Sequence, residues 1–215
     1  ACWWRTVDTQ PRGVKAPAMP KEKGARGPRE CRIQYCLFYN DRPKQFADDE
    51  TDTADTFNGN YIGGIDVKNT IDWTISDNVF LGIQGRTREG RGCIYISENG
   101  RGCKIERNVF IDCDVAIALG NPSLGYSPLH AINCVVRNNF VSQCPETGIL
   151  ACFTRDCRIE GNTIHDPALR PRRPIWVQNK NDGLLVKGNL LIGPPIRITS
   201  DSVIEQIGNL HLAQT

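Results

Sequence analysis

Seven times between residues 31 and 212 the chain returns to one short pattern. It is clearest in "CKIERNVFIDC" (103–113), "CVVRNNFVSQC" (134–144) and "CRIEGNTIHDP" (157–167). Aligned on the Asn, the zero position holds Cys36, Asn78, Asn108, Asn139, Asn162, Asn189 and Asn209. Two residues later come Phe38, Phe80, Phe110, Val141, Ile164, Leu191 and, as an exception, His211. Three residues before come Ile33, Ile75, Ile105, Val136, Ile159, Val186 and Gln206. Such a repeat is the signature of a solenoid, where one copy cannot bury its apolar residues until the next copy stacks on it.

A second ladder places one Ile in each copy, at Ile65, Ile94, Ile117, Ile149, Ile175 and Ile196. The intervals from this Ile to the following Asn are 13, 14, 22, 13, 14 and 13 residues, and the long one holds "NPSLGYSPLH" at 121–130. The interval from each Asn to the next Ile is loose, from 7 to 29 residues. Constant spacing means a constant backbone path, so the variable loops gather at one corner of every coil. Each coil is expected to supply short strands with alternate residues inward, stacked about 4.8 Å apart on their equivalents. The Asn is expected at a turn, its amide bonding to backbone and to its neighbours above and below.

Composition agrees with an all-β reading. Short β-branched runs broken by Gly and Asn dominate from residue 60, and 3.6-residue amphipathic periodicity is absent. A net charge of +2 gives no field pointing to nucleic acid or an anionic membrane. No apolar run is long enough to cross a bilayer, and no leader peptide is legible, so the numbering fits either a processed terminus or a fragment.

At these residues the sequence resembles the right-handed parallel β-helix family, the superfold of pectate lyases and related polysaccharide enzymes. The resemblance spans residues 31–212 and implies a single domain over 31–215 with six to seven coils. It also implies a polysaccharide partner and a secreted or periplasmic location. Residues 1–30, rich in Pro, Gly, Lys and Arg, read as an extended arm, the alternative being a basic tail for an anionic partner. Trp3 and Trp4 are expected to cap the first coil.

Ten cysteines raise the question of metal or disulfide chemistry. There is no C-x2-C pair of the kind that zinc sites use. Cys31, Cys103, Cys134 and Cys157 share one inward column, and Cys113 and Cys144 share another. Stacked core thiols are the preferred reading, with Cys113–Cys144 or Cys103–Cys134 bridges left open. Two residues before the Asn, Ser76, Glu106, Arg137, Glu160 and Lys187 form an outward column whose charges pair across coils.

The chemistry is expected at the variable corner and on the outward face of the neighbouring Ile strand. That strand presents Asp66, Tyr95, Ala118, Leu150, Trp176 and Arg197, and two positions on, Lys68, Ser97, Gly120, Cys152, Gln178 and Thr199. Aromatic rings stack on sugar faces, and Lys, Arg and Gln bind hydroxyls or carboxylates. In the polysaccharide lyases that the fold resembles, the equivalent face binds substrate. Asp66, Arg91, Tyr95, Trp176, Gln178 and Arg197 are therefore the expected substrate contacts.

Lyase cleavage of a uronic-acid glycan needs a cation against the carboxylate, a base for the C5 proton and an acid for the leaving oxygen. Arg86, Arg88, Arg91 and Arg197 are candidates for the cation, Lys68 or an Arg for the base, and His165 or Tyr95 for the acid. Asp66 with the acidic loop 40–61 is a candidate Ca²⁺ site, though no EF-hand pattern is present. The Asp constellation and RIK motif of polygalacturonases are missing, as is the RxPxxR of pectate lyases, of which "LRPRRP" is a superficial echo. A non-catalytic carbohydrate-binding or structural module and a glycoside hydrolase, pairing Asp66 with a loop acid, stand as alternatives. The exposed ends of a solenoid leave monomer and small homo-oligomer both open.

Overall fold

The computed structural model describes residues 2–6, 12–16, 28–124, 129–165 and 173–212. Its strands are parallel and fall into three sheets. In each coil the chain passes through sheet I (Gly63–Lys68, Ile94–Glu98, Val115–Leu119, Thr147–Arg155, Ile175–Asp182, Arg197–Ser200). It turns into sheet II (Arg32–Gln34 to Glu205–Ile207) and then sheet III (Cys36–Tyr39 to Leu210–Leu212). A 3-10 turn spans Phe46–Asp48, and no α-helix occurs among the described residues.

Both sequence ladders lie in register. Ile65, Ile94, Ile117, Ile149 and Ile175 pair successively across sheet I, and Phe38, Phe80 and Phe110 across sheet III. The three Phe rings stack with centroids 4.8 Å apart, the separation of the strands that carry them. All of these side chains are fully buried.

The turn between sheets II and III explains the Asn. The residue before it is left-handed in every coil: Tyr35, Asp77, Arg107, Asn138, Gly161, Gly188 and Gly208. The Asn side chain then points inward. Its oxygen accepts from the backbone N–H of the preceding coil, as from Asn108 to Asn139 at 3.0 Å, while its Nδ2 donates to the next Asn and to a sheet II carbonyl. Each net bond contributes about 1 kcal/mol, and the ladder repeats this set from Asn78 to Asn189.

Outside, sheet II carries the expected charge pairing. Arg137 donates to Glu106 at 2.6 Å, and Arg107 bridges Glu106 and Asp77. Burial opposes the charge on Glu106, but these hydrogen bonds more than offset it and hold its pKa low. The nine described cysteines are free thiols. Cys103, Cys134 and Cys157 are fully buried in one column, with Cys134 N–H donating to Cys157 Sγ at 3.4 Å.

Two departures from expectation bear on the site. Cys2–Arg5 pairs with Cys36–Tyr39, and Arg12–Ala16 pairs with Gly63–Lys68, so parts of the stretch expected as an arm belong to the sheets. The side chains of Trp3 and Trp4, expected as a cap, lie outside the described residues. In sheet I the register shifts after Val67, and Lys68 faces Glu98 rather than Ser97.

Candidate functional site

A groove of ≈ 330 Å³ lies on the outward face of sheet I. Tyr95, Leu150 and Trp176 form its floor, with Gln178 two residues beyond Trp176 on the same strand. Register brings the aromatic residues near one another: Tyr95 pairs with Ala118, Ala118 with Leu150, and Leu150 with Trp176. Together with Val115 they make an apolar cluster outside the solenoid core. The small Ala118 between Tyr95 and Leu150 leaves depth where a larger side chain would fill it.

Three pieces of chain wall the groove. Glu89, Gly90 and Arg91 come from the loop 82–92, Asn121, Pro122 and Ser123 from the insertion, and Glu146 and Thr147 from the start of Thr147–Arg155. Asp114 ties two of these walls together from beneath. Its Oδ2 accepts from the N–H groups of Gly85 (2.7 Å) and Gly90 (2.9 Å), and its backbone oxygen accepts from Glu146 and Thr147. Asp114 has no exposed surface, and burial pushes its pKa up to about 6. The insertion is pinned by His130, whose Nδ1 accepts from Asn121 N–H at 3.0 Å.

Arg91 is the cation of the groove. Its guanidinium lies over the rings of Phe57 (4.4 Å) and Tyr61 (5.4 Å), on the same groove wall that faces Tyr95, and no ion pair is recorded for it among the described residues. Burial raises the Tyr95 phenol well above its ordinary pKa, so it stays protonated. Glu146 is neutralised by Arg173, whose guanidinium also sits 3.9 Å from the Trp176 ring. Gln178 is buried, and its Nε2 has no hydrogen-bond partner among the described residues. An unsatisfied buried donor costs roughly 1–3 kcal/mol, which a ligand acceptor would relieve.

Of the residues expected from sequence, Arg91, Tyr95, Trp176 and Gln178 line this groove. Arg197 lies one coil on, 5.7 Å from the Trp176 ring. Asp66 is buried and accepts from Tyr61 Oη at 2.7 Å, which places it under the Arg91 wall rather than in the groove.

The expected catalytic set is not brought together. Lys68 Nζ pairs with Glu98 at 3.0 Å, a consequence of the register shift. Arg86 is engaged with Asn58 and lies over Phe46. Arg88 is held between Asp112 and the buried Asp114, at 3.6 and 3.7 Å. His165 ends a strand of sheet III, between Ser142 and Ile192, and so sits on a different sheet. Of the "LRPRRP" segment, residues 169–172 lie outside the described residues.

Several carboxylates of the acidic loop are already paired, Asp41 with Arg5 at 2.8 Å. Asp48 pairs with Arg42, and Asp52 with the fully buried Lys44 while also accepting from Gly59 and Tyr61 N–H. No group of three or more His, Cys, Asp or Glu is placed to hold a metal ion among the described residues.

Glu89, Glu146, Asn121 and Asp114 were not singled out in the sequence. The usable signal was the single long interval in an otherwise constant spacing, because that insertion builds a groove wall. No helix among the described residues is long and apolar enough to cross a membrane. No curated protein matches the chain. Residues 63–193 match the family described as the right handed beta helix region, and the chain belongs to that family.

Proposed function

We propose that the protein handles polysaccharide through the sheet I groove, binding a short stretch of an acidic, uronic-acid glycan outside the cell or in the periplasm. The observation that carries this reading is Arg91, a cation without an ion-pair partner, held beside Tyr95 on a floor that also presents Trp176. Aromatic rings suit the apolar faces of pyranoses, and a guanidinium suits a carboxylate. The unpaired Nε2 of Gln178 adds a donor for a sugar oxygen.

A second reading, lyase-type cleavage, is favoured by the placing of Arg91 and Tyr95 in one groove. Arg91 offsets the uronate charge, and the protonated Tyr95 phenol serves as acid toward the leaving oxygen. Glu89, on the wall beside Arg91, takes the C5 proton in place of Lys68, which is paired with Glu98 away from the groove. Glu89 and Glu146, the two carboxylates of the walls, are the groups through which hydrolysis would run instead.

The test is incubation with alginate, pectin and glycosaminoglycan fragments, followed by calorimetry and product assay. Saturable binding that Arg91→Ala removes supports the groove. Ultraviolet absorbance of an unsaturated uronide adds the lyase, and new reducing ends without it favour hydrolysis. Absence of binding to every acidic fragment sinks the proposal.

A further inference from the structure

Only backbone separates the Asp114 carboxylate from the groove. Its Oδ2 accepts from Gly90 N–H, and Gly90 lines the groove, as does Val115, the next residue after Asp114. A Cβ on Gly90 would lie 3.2 Å from that oxygen, so the glycine lets the loop 82–92 close directly over the carboxylate. The other oxygen, Oδ1, is buried and has no hydrogen-bond partner among the described residues. Arg88 Nε lies 3.7 Å from it, beyond hydrogen-bond reach.

A charge on an unpartnered buried oxygen is costly, and burial accordingly raises the Asp114 pKa to about 6. A proton placed on Oδ1 removes that cost and leaves both N–H bonds to Oδ2 in place. Protonation therefore changes the charge beneath the wall without releasing the loop.

The neighbouring groups do not cancel this charge. The loop 82–92 brings Arg88, Arg91 and Glu89, the last accepting from the Thr87 hydroxyl at 2.9 Å. Asp112 shares Arg88 with Asp114. Glu146, whose N–H bonds the Asp114 carbonyl, is neutralised by Arg173. Burial disfavours the thiolate at Cys93, Cys113 and Cys144. With Asp114 ionised the wall holds a negative charge in excess, and with Asp114 neutral its charges balance.

We infer that Asp114 is a proton-linked control on the groove: its neutral form admits an anionic sugar beside Arg91, and its ionised form opposes it. This rests on the reading of the groove as a site for an acidic glycan. Two unit charges about 10 Å apart, at an effective dielectric of about 20 to 40, alter affinity about fivefold. By reciprocity, binding of the anion draws a fraction of a proton onto the protein.

Titration calorimetry with an oligogalacturonate, from about pH 7.5 to about pH 5, keeps the ligand ionised while Asp114 titrates. Wild-type affinity should rise about fivefold over that range. At about pH 6, buffers of different ionisation enthalpy should report proton uptake on binding. Asp114→Asn keeps an acceptor for Gly85 and Gly90, and it should bind with a flat profile at the wild-type low-pH affinity. A fully methyl-esterified oligogalacturonate should show no pH dependence with either protein. A flat wild-type profile without proton uptake overturns the inference. So does a slope that survives Asp114→Asn, which would assign it to His130 or the wall glutamates, or an equal slope for the esterified ligand, which would mean that the wall itself moves. Binding with a flat profile removes this inference alone, whereas no binding at any pH removes the groove reading and the inference together.

Discussion

The side-chain oxygen of Asn139 accepts from the backbone N–H of Asn108, one coil away, at 3.0 Å. The same oxygen takes a second bond from Asn108 Nδ2, and Asn139 Nδ2 reaches Ile105 O and Asn162 Oδ1. Asn139→Ala leaves these buried groups without partners. It should lower stability by about 4 kcal/mol in urea denaturation, and a loss as small as that of an exposed turn residue would contradict the ladder.

Asp114 predicts a pH signature. Its folded pKa of about 6 lies above the 3.8 expected of a free Asp, so its protonated form is favoured by folding. The contribution is present below pH 3.8 and is lost as pH rises through about 6. Asp114→Asn removes that dependence. The stability of the variant relative to wild type should rise by about 3 kcal/mol between pH 3.5 and pH 7 and then level off. Parallel curves for the two proteins would show that the buried carboxylate does not titrate this way.

Lys44 and Asp52 form an ion pair with no exposed side-chain surface, and Asp52 also holds the backbone at Gly59 and Tyr61. Lys44→Met strands a buried carboxylate and should cost about 3–5 kcal/mol. Adding Asp52→Asn should recover part of that loss, since the amide oxygen still accepts from the backbone. A double variant no more stable than the single one would assign the cost to packing.

In the groove, Trp176→Ala and Gln178→Ala should each weaken binding of an acidic oligosaccharide by about tenfold, near 1.4 kcal/mol. His165→Ala, on sheet III, should leave the affinity unchanged. Titration calorimetry on the three variants separates the groove from the loop corner as a whole. Equal losses at His165 and Trp176 would mean that the binding face has been misplaced.

The coil path was legible because it is periodic. Once Ile65, Ile94 and Ile149 are aligned, hydrogen bonding between parallel strands leaves little freedom, and the outward partners Tyr95 and Trp176 follow by counting. Counting failed at Lys68, where one inserted residue shifts the register and exchanges Ser97 for Glu98. The groove walls were less legible, since a loop's position depends on contacts distant in sequence. Asp114 acts through Gly85 and Gly90, and Arg91 through Phe57 and Tyr61. The same folding of loops onto their own partners explains why Arg86 and Arg88, plausible as free cations in a string of letters, are engaged elsewhere.

The Asn column also makes length a discrete variable. Asn108 bonds to Asn139 as Asn139 bonds to Asn162, so removing 109–139 as a block would set Asn108 beneath Asn162 with every bond type retained. Evolution or engineering can therefore lengthen or shorten such a surface in whole steps without redesigning what remains. The groove is less interchangeable. Its floor spans the coils of Tyr95, Leu150 and Trp176, with Ala118 as the notch between, and deleting that one turn would close it while the solenoid beneath stayed intact.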